Sequence, residues 1–220
     1  MKHFAITIAR GYGSGGRRIG QKLADTLNID FVDRDLLKLA SIESGINEAL
    51  FGVADERIKK PLLFKNMRKS REFEVLSPEQ EGFISDENLF NFQAKVLRSL
   101  IEKESFVVMG RAADFVLKDY PNVLTVNIQA SHSYCVKSTM EHMGFSEKDA
   151  EACVTKTDRY REEFYEYYAG RPWNKPSNFD LCLNSERLGN DTCIRMIVEC
   201  ARMKFGPGFI IEENDNVIRI

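Results

Sequence analysis

Four glycines and two arginines fall within the eight residues Gly11-Tyr12-Gly13-Ser14-Gly15-Gly16-Arg17-Arg18. That density has one obvious chemical use. Successive main-chain N–H groups can turn toward a common centre when no β-carbon blocks the turn, and the centre then holds an anion. Two motifs overlap in the stretch. Gly11, Gly13 and Gly16 fit G-x-G-x-x-G, the fingerprint of a dinucleotide pyrophosphate site. Gly11, Gly16, Arg17 and Arg18 fit the phosphate loop G-x-x-x-x-G-K-[ST], with arginine replacing both lysine and the hydroxyl residue. A glycine-rich turn without a ligand fits as well, so the rest of the chain must decide.

A phosphate nest that serves a group transfer needs cations arriving from elsewhere, because phosphoryl transfer is mostly positioning and charge neutralisation. Arg111 follows an apolar run. Arg159 and Arg161 lie on a helical segment, with Lys156, Arg171 and Lys175 close by in sequence. Arginine suits the work because its planar fork grips phosphate oxygens bidentately and stays charged. Arg159 and Arg161 are two residues apart and therefore point to different helix faces, whereas Asp158 and Arg161 share a face and can form an ion pair. Asp33 and Arg34 end a short apolar segment. Asp33 sits where a ligand-binding acid or a helix N-cap would stand. The basic stretch 59–72 reads as a solvated face or as a nucleotide contact.

The elements that must carry these residues follow from periodicity. Phe4–Ala9, Asn28–Val32, Phe106–Gly110, Val123–Ile128 and Leu181–Asn184 are short apolar runs, the pattern of strands buried on both faces. Helical spacing separates them: Ile19, Leu23 and Leu27; Leu36, Leu37 and Ala40; Leu89, Phe92, Val96, Leu97 and Leu100; and Thr192–Lys204. Ser131 and Ser146 are placed to cap two further helices, and Gly170 to end the second. Residues 45–92 are less regular, and the tail suggests a hairpin around Asn214–Asn216. Strand–helix alternation predicts a parallel sheet covered on both faces.

Composition narrows the partners. The 220 residues suit one α/β domain, and a net charge of −2 does not suit a protein that coats nucleic acid. No apolar run approaches the roughly 20 residues needed to span a bilayer, so no membrane is expected and the expected compartment is the cytoplasm. The five cysteines show no C-x-x-C spacing and the three histidines no H-E-x-x-H pair, so no protein-held metal is expected. The oligomeric state is left open.

Taken together, Tyr12-Gly-Ser-Gly-Gly-Arg17, Phe31-Val-Asp-Arg34, Gly110-Arg111, Asp158-Arg-Tyr-Arg161, Tyr167-Tyr-Ala-Gly-Arg-Pro-Trp173 and Asn178-Phe-Asp-Leu-Cys-Leu-Asn-Ser185 resemble the cytidylate kinase-like family of P-loop proteins. The resemblance implies a three-layer α/β P-loop NTPase fold. It implies a helical insertion for a nucleoside monophosphate near 35–92, an arginine-bearing lid near 145–175, and a tail over 206–220. It implies ATP- and Mg²⁺-dependent phosphoryl transfer to a nucleoside monophosphate, CMP or dCMP first. By position, Gly11, Gly13, Ser14, Gly15, Gly16, Arg17 and Arg18 would hold the donor. Asp33, Arg34, Arg111, Asp158 and Arg161 would face the acceptor, and Arg17, Arg111, Arg159 and Arg161 would neutralise charge. The departures are Arg17 for the loop lysine, Arg18 for a hydroxyl, and Ala112 where cytidylate kinases have an acid. Two alternatives stand beside this reading: a nucleotide-binding regulatory module of the same fold, and a dinucleotide-binding oxidoreductase.

Overall fold

The computed structural model describes residues 3–56, 73–206 and 209. The basic stretch 59–72 and the expected tail hairpin lie outside the described residues. Five strands, β1 (Ala5–Arg10), β2 (Asp30–Val32), β3 (Phe106–Met109), β4 (Val123–Gln129) and β5 (Leu181–Asn184), form one parallel sheet in the order β2-β3-β1-β4-β5. β1 lies at the centre, with Ile6 level with Val107 on one side and Leu124 on the other. The inner strands β1 and β3 are buried on both faces and mostly apolar, whereas the edge strands β2 and β5 are partly exposed.

Helices close both faces. α1 (Gly16–Leu27) and the last helix, α9 (Asn190–Phe205), cover one side, where Ile19, Leu23, Ile194 and Ile197 meet Ile6, Ile8 and Leu124. α4 (Asp86–Ile101) and the short α5 (Ala113–Val116) cover the other, where Phe90 and Leu97 meet Phe106 and Val108. α2 (Asp35–Ser44) and α3 (Glu48–Glu56) pack with α4 around Leu37, Phe51, Leu89 and Phe92. Periodicity had left α3 unread. α6 (His132–Met143) and α7 (Glu147–Ala169) make a helical arm whose contact, through Cys135, Val136, Ala150 and Val154, reaches Tyr12 of the glycine loop. α8 (Ser185–Leu188) is a single turn before α9.

The caps are local chemistry. The hydroxyls of Ser131 and Ser146 accept from the backbone N–H of Tyr134 and Asp149, and Gly170 ends α7 at φ 67°. Asp33 does not cap α2. That position belongs to Arg34, which leaves the Asp33 carboxylate free for a side-chain partner.

Candidate active site at the strand ends

β1 runs directly into the glycine loop. The Gly11 N–H donates to the Ile128 carbonyl at 3.1 Å. Ser14 folds its hydroxyl inward to donate to the Gly11 carbonyl at 2.8 Å, and the Ser185 hydroxyl donates to the Ser14 carbonyl at 2.6 Å. Ser14 therefore shapes the loop through its side chain instead of offering that side chain outward. Gly13 has φ 78°, and a β-carbon there would run into the Cys135 carbonyl of α6, so only glycine fits. The first turn of α1 has no side-chain cap and no acid. Its N–H groups and the positive end of the helix dipole face the loop, an arrangement that receives phosphate.

On the other side of the β1 terminus lies a cavity of about 410 Å³. The carboxyl ends of β1 and β3, the start of α2 and one stripe of α7 enclose it. The stripe is Thr157, Tyr160, Arg161, Phe164 and Tyr165, all lining the cavity, and their three- and four-residue spacing is that of a single helix face. This explains why the two nearby arginines part company. Arg161 lies on the stripe, 19% exposed, and donates from Nη1 to the Arg10 carbonyl at 3.1 Å. Arg159 lies off it, 71% exposed and ion-paired with Glu163 at 2.8 Å, so the structure does not bring Arg159 to the cavity. The exposed Lys156 lines an outer groove with Arg159.

Arg111 reaches the cavity through unusual backbone. Gly110, Arg111 and Ala112 have φ of 65°, 55° and 50°, three consecutive left-handed residues at the end of β3. Non-glycine residues adopt this conformation at a cost of roughly 1–2 kcal/mol each, and such strain gathers at functional sites. The Arg111 Nη1 donates to Gln93 Oε1 at 3.3 Å. Arg10, the last residue of β1, points into the same space. Sequence reasoning missed it, because it reads as the polar end of an apolar run. Burial pushes the Arg10 guanidinium down to about 9, with Arg161 and Arg111 adding repulsion and Asp33 and Asp158 opposing it. Burial lowers Arg111 to about 10, and lowers Arg161 as well.

Part of the cavity wall is aromatic, formed by Tyr160, Phe164, Tyr165 and Trp173. Behind them Asp114, buried, accepts from Tyr165 Oη at 2.6 Å and from Arg171 Nη2 at 2.7 Å. Burial still holds the Asp114 carboxyl above its ordinary value despite these donors. A carboxylate buried at the wall of an aromatic slot had no sequence signal beyond one acid in a short helix.

The remaining expected residues fall around the two compartments. Asp33 and Arg34 line the cavity. Arg17 is 74% exposed and turns from the loop to Asp33, Nε to Oδ2 at 2.8 Å. Arg18 faces the Asn190 carboxamide, which accepts from its Nε at 2.7 Å when the amide oxygen is turned toward it. Asp158, one position from Arg159 but on another face, accepts from the Tyr12 N–H at 2.7 Å and lies 3.5 Å from Arg161. Burial raises its carboxyl above the ordinary value, while Tyr12, Arg161 and Arg10 pull it down. No group of three His, Cys, Asp or Glu that could hold a metal occurs among the described residues. Mg²⁺ in phosphoryl transfer is held by one or two carboxylates together with substrate phosphates. Asp33 fits that demand, being a carboxylate between the loop and the cavity, while Arg18 offers no hydroxyl.

The sequence profile described as the cytidylate kinase-like family matches residues 5–187. A comparison with curated proteins finds no match. Among solved structures, an uncharacterized protein from Eubacterium ventriosum is similar with a TM-score of 0.64 and 26% identity, over 90% of this chain and 97% of that one. TT1252 from Thermus thermophilus aligns with a TM-score of 0.51 and 15% identity, over 94% and 100%. A shikimate kinase from Bacteroides thetaiotaomicron aligns at 0.48 and 12%, over 92% and 98%. The sheet order, the glycine loop and the family match make the fold an α/β P-loop NTPase fold. No described helix is long and apolar enough to cross a membrane.

Proposed function

The chain belongs to the cytidylate kinase-like family, and on that premise we propose that it transfers the γ-phosphoryl group of ATP to a nucleoside monophosphate, with CMP or dCMP the first candidates. One observation carries the proposal. The anion nest and the 410 Å³ cavity open at the same strand end, and Arg161 stands between them, bonded to the Arg10 carbonyl. A donor in the nest and an acceptor in the cavity would meet there in line. An acceptor phosphate oxygen bonds to the γ-phosphorus as the bond to the bridging oxygen of ADP breaks.

Each residue then has a task. The loop amides and Arg17 bind the donor's β- and γ-phosphates, which requires Arg17 to leave Asp33. Arg111 and Arg161 neutralise the group in flight. Asp33, once released, and Arg34 orient the acceptor, and Asp33 is the side chain that would hold Mg²⁺. The ion, when bound, supplies charge neutralisation across the donor phosphates. The aromatic wall from Tyr160 to Trp173 receives the base, and the α7 arm keeps water out. A coupled assay with ATP, Mg²⁺ and a panel of CMP, dCMP, UMP and AMP tests this. Turnover with at least one monophosphate is expected, and none with any would overturn the proposal.

The regulatory reading keeps one specific support, the Arg17–Asp33 pair, which holds the loop's cation away from the nest. Tight binding of ATP without turnover in the same assay would favour it. The dinucleotide reading needs Asp33 for a ribose, and that carboxylate is engaged by Arg17.

A further inference from the structure

The Arg10 guanidinium has no role in that scheme, yet its placement is costly. It occupies the space above Gly110, where any β-carbon would collide with its Nη1. Among the described residues it makes no hydrogen bond or ion pair, so its side-chain donors are unspent. Arg161 and Arg111 stand close enough to repel it. Asp33 and Asp158 offset part of that repulsion, but neither bonds to it: Asp33 pairs with Arg17, Asp158 with the Tyr12 N–H and Arg161, and Asp114 with Arg171 and Tyr165. A withdrawn cation beside two others, with its donors unspent, is unfavourable unless an anion arrives.

The number and shape of the donors specify the anion. A single carboxylate is satisfied by one guanidinium fork. A phosphomonoester dianion presents three outer oxygens and about two negative charges, which suits several forks approaching from different directions. We propose that Arg10 determines acceptor specificity, joining Arg111 and Arg161 around the phosphate of a phosphomonoester acceptor, so that hydroxyl-only and singly carboxylated compounds are rejected. This rests on the cavity being the acceptor's, as proposed above. Arg10 touches the acceptor phosphate from the strand that leads into the donor loop, so one strand terminus registers both substrates.

The test uses isothermal titration of the full chain and its Arg10→Gln and Arg10→Lys variants with ribose 5-phosphate, CMP, cytidine and ATP. Wild type is expected to bind CMP and ribose 5-phosphate more tightly than cytidine. Arg10→Gln should weaken both phosphomonoesters by about 10- to 100-fold, the worth of charged hydrogen bonds, and leave ATP within about threefold. Arg10→Lys, which keeps the charge and loses the fork, should fall between. The unliganded Arg10→Gln protein should melt at or above the wild-type temperature, because a repulsive charge has gone. Unchanged phosphomonoester affinity in Arg10→Gln, or cytidine binding equal to CMP in wild type, overturns the inference. The two proposals fail separately. Arg10-dependent ribose 5-phosphate binding without turnover of any nucleotide sinks the kinase reading alone. CMP turnover with an unchanged KM in Arg10→Gln sinks this one alone.

Discussion

At the residue scale the decisive contact is Arg17 on Asp33. Arg17 is 74% exposed, and ion pairs in that setting stabilise a fold by roughly 0–1 kcal/mol. The pair is therefore poorly explained as a device for stability and better explained as a resting position. Arg17→Ala should leave the unliganded melting temperature within about 3 °C of wild type. It should weaken ATP binding by about 10- to 100-fold, the cost of losing a charged donor to phosphate. Thermal melts and titration on the same preparation check both halves, and a collapsed melt with normal ATP affinity in the folded fraction would remove Arg17 from the site. Legibility at this scale was uneven. The glycine loop, Arg111 and Arg161 stood out in the sequence because phosphate chemistry restricts residue type and spacing, and the structure gathers Arg111 and Arg161 at one cavity beside that loop. Arg10 was not, since a polar residue ending a strand is ordinary until its neighbours in space are known. Spacing separated Arg159 from Arg161 but could not say which faced inward, because the inward face is set by what α7 packs against.

At the element scale, α7 supplies one wall of the cavity. Its Ser146 cap and Gly170 terminus were visible in the sequence because caps are chemistry of neighbouring residues. Its docking was not visible, because that rests on contacts across the fold, among them the Tyr12 N–H to Asp158 at 2.7 Å, Arg161 to the Arg10 carbonyl and Tyr165 to Asp114. Asp158→Ala leaves that N–H without its acceptor, which costs about 1–3 kcal/mol and should loosen the α6–α7 arm to hydrogen exchange. Asp158→Asn keeps an acceptor oxygen and buries no charge. The sign of the pH effect follows from burial having raised the Asp158 carboxyl above its ordinary 3.8. The fold favours the protonated form, so the stability this group contributes is complete below the ordinary value and is lost as pH rises through the folded one. Asp158→Asn lacks that titration. Melting curves from pH 3.5 to 7 should therefore show wild type losing ground to Asp158→Asn as pH rises, with Asp158→Ala lowest throughout. A wild type that gains on Asp158→Asn with rising pH would mean the carboxylate is net favourable where it lies.

At the scale of the molecule, the division of labour runs along the strands. The sequence announced five parallel strands because burial on both faces leaves little room for polar residues. It did not announce the order β2-β3-β1-β4-β5, because periodicity records burial and says nothing of which strand lies beside which. That order is what places the ends of β1 and β3 together, and with them Arg10, Arg111 and the nest. The opposite ends and the middle of the sheet serve stability instead. Leu124, fully buried, sits level with Ile6 near the start of β1 and packs toward α1 and α9, away from the cavity. Leu124→Ala should destabilise by about 2–5 kcal/mol through lost burial and the cavity left behind, a fall in melting temperature of roughly 5–15 °C. It should leave the affinity of the folded fraction for ATP and for ribose 5-phosphate unchanged. Arg10→Gln is expected to do the reverse, holding the melting temperature and losing the phosphomonoester. The two variants measured side by side, by melting and by titration below the transition, check that opposition. If Leu124→Ala weakened ligand binding in molecules still folded, the strand ends would not be mechanically independent of the core beneath them.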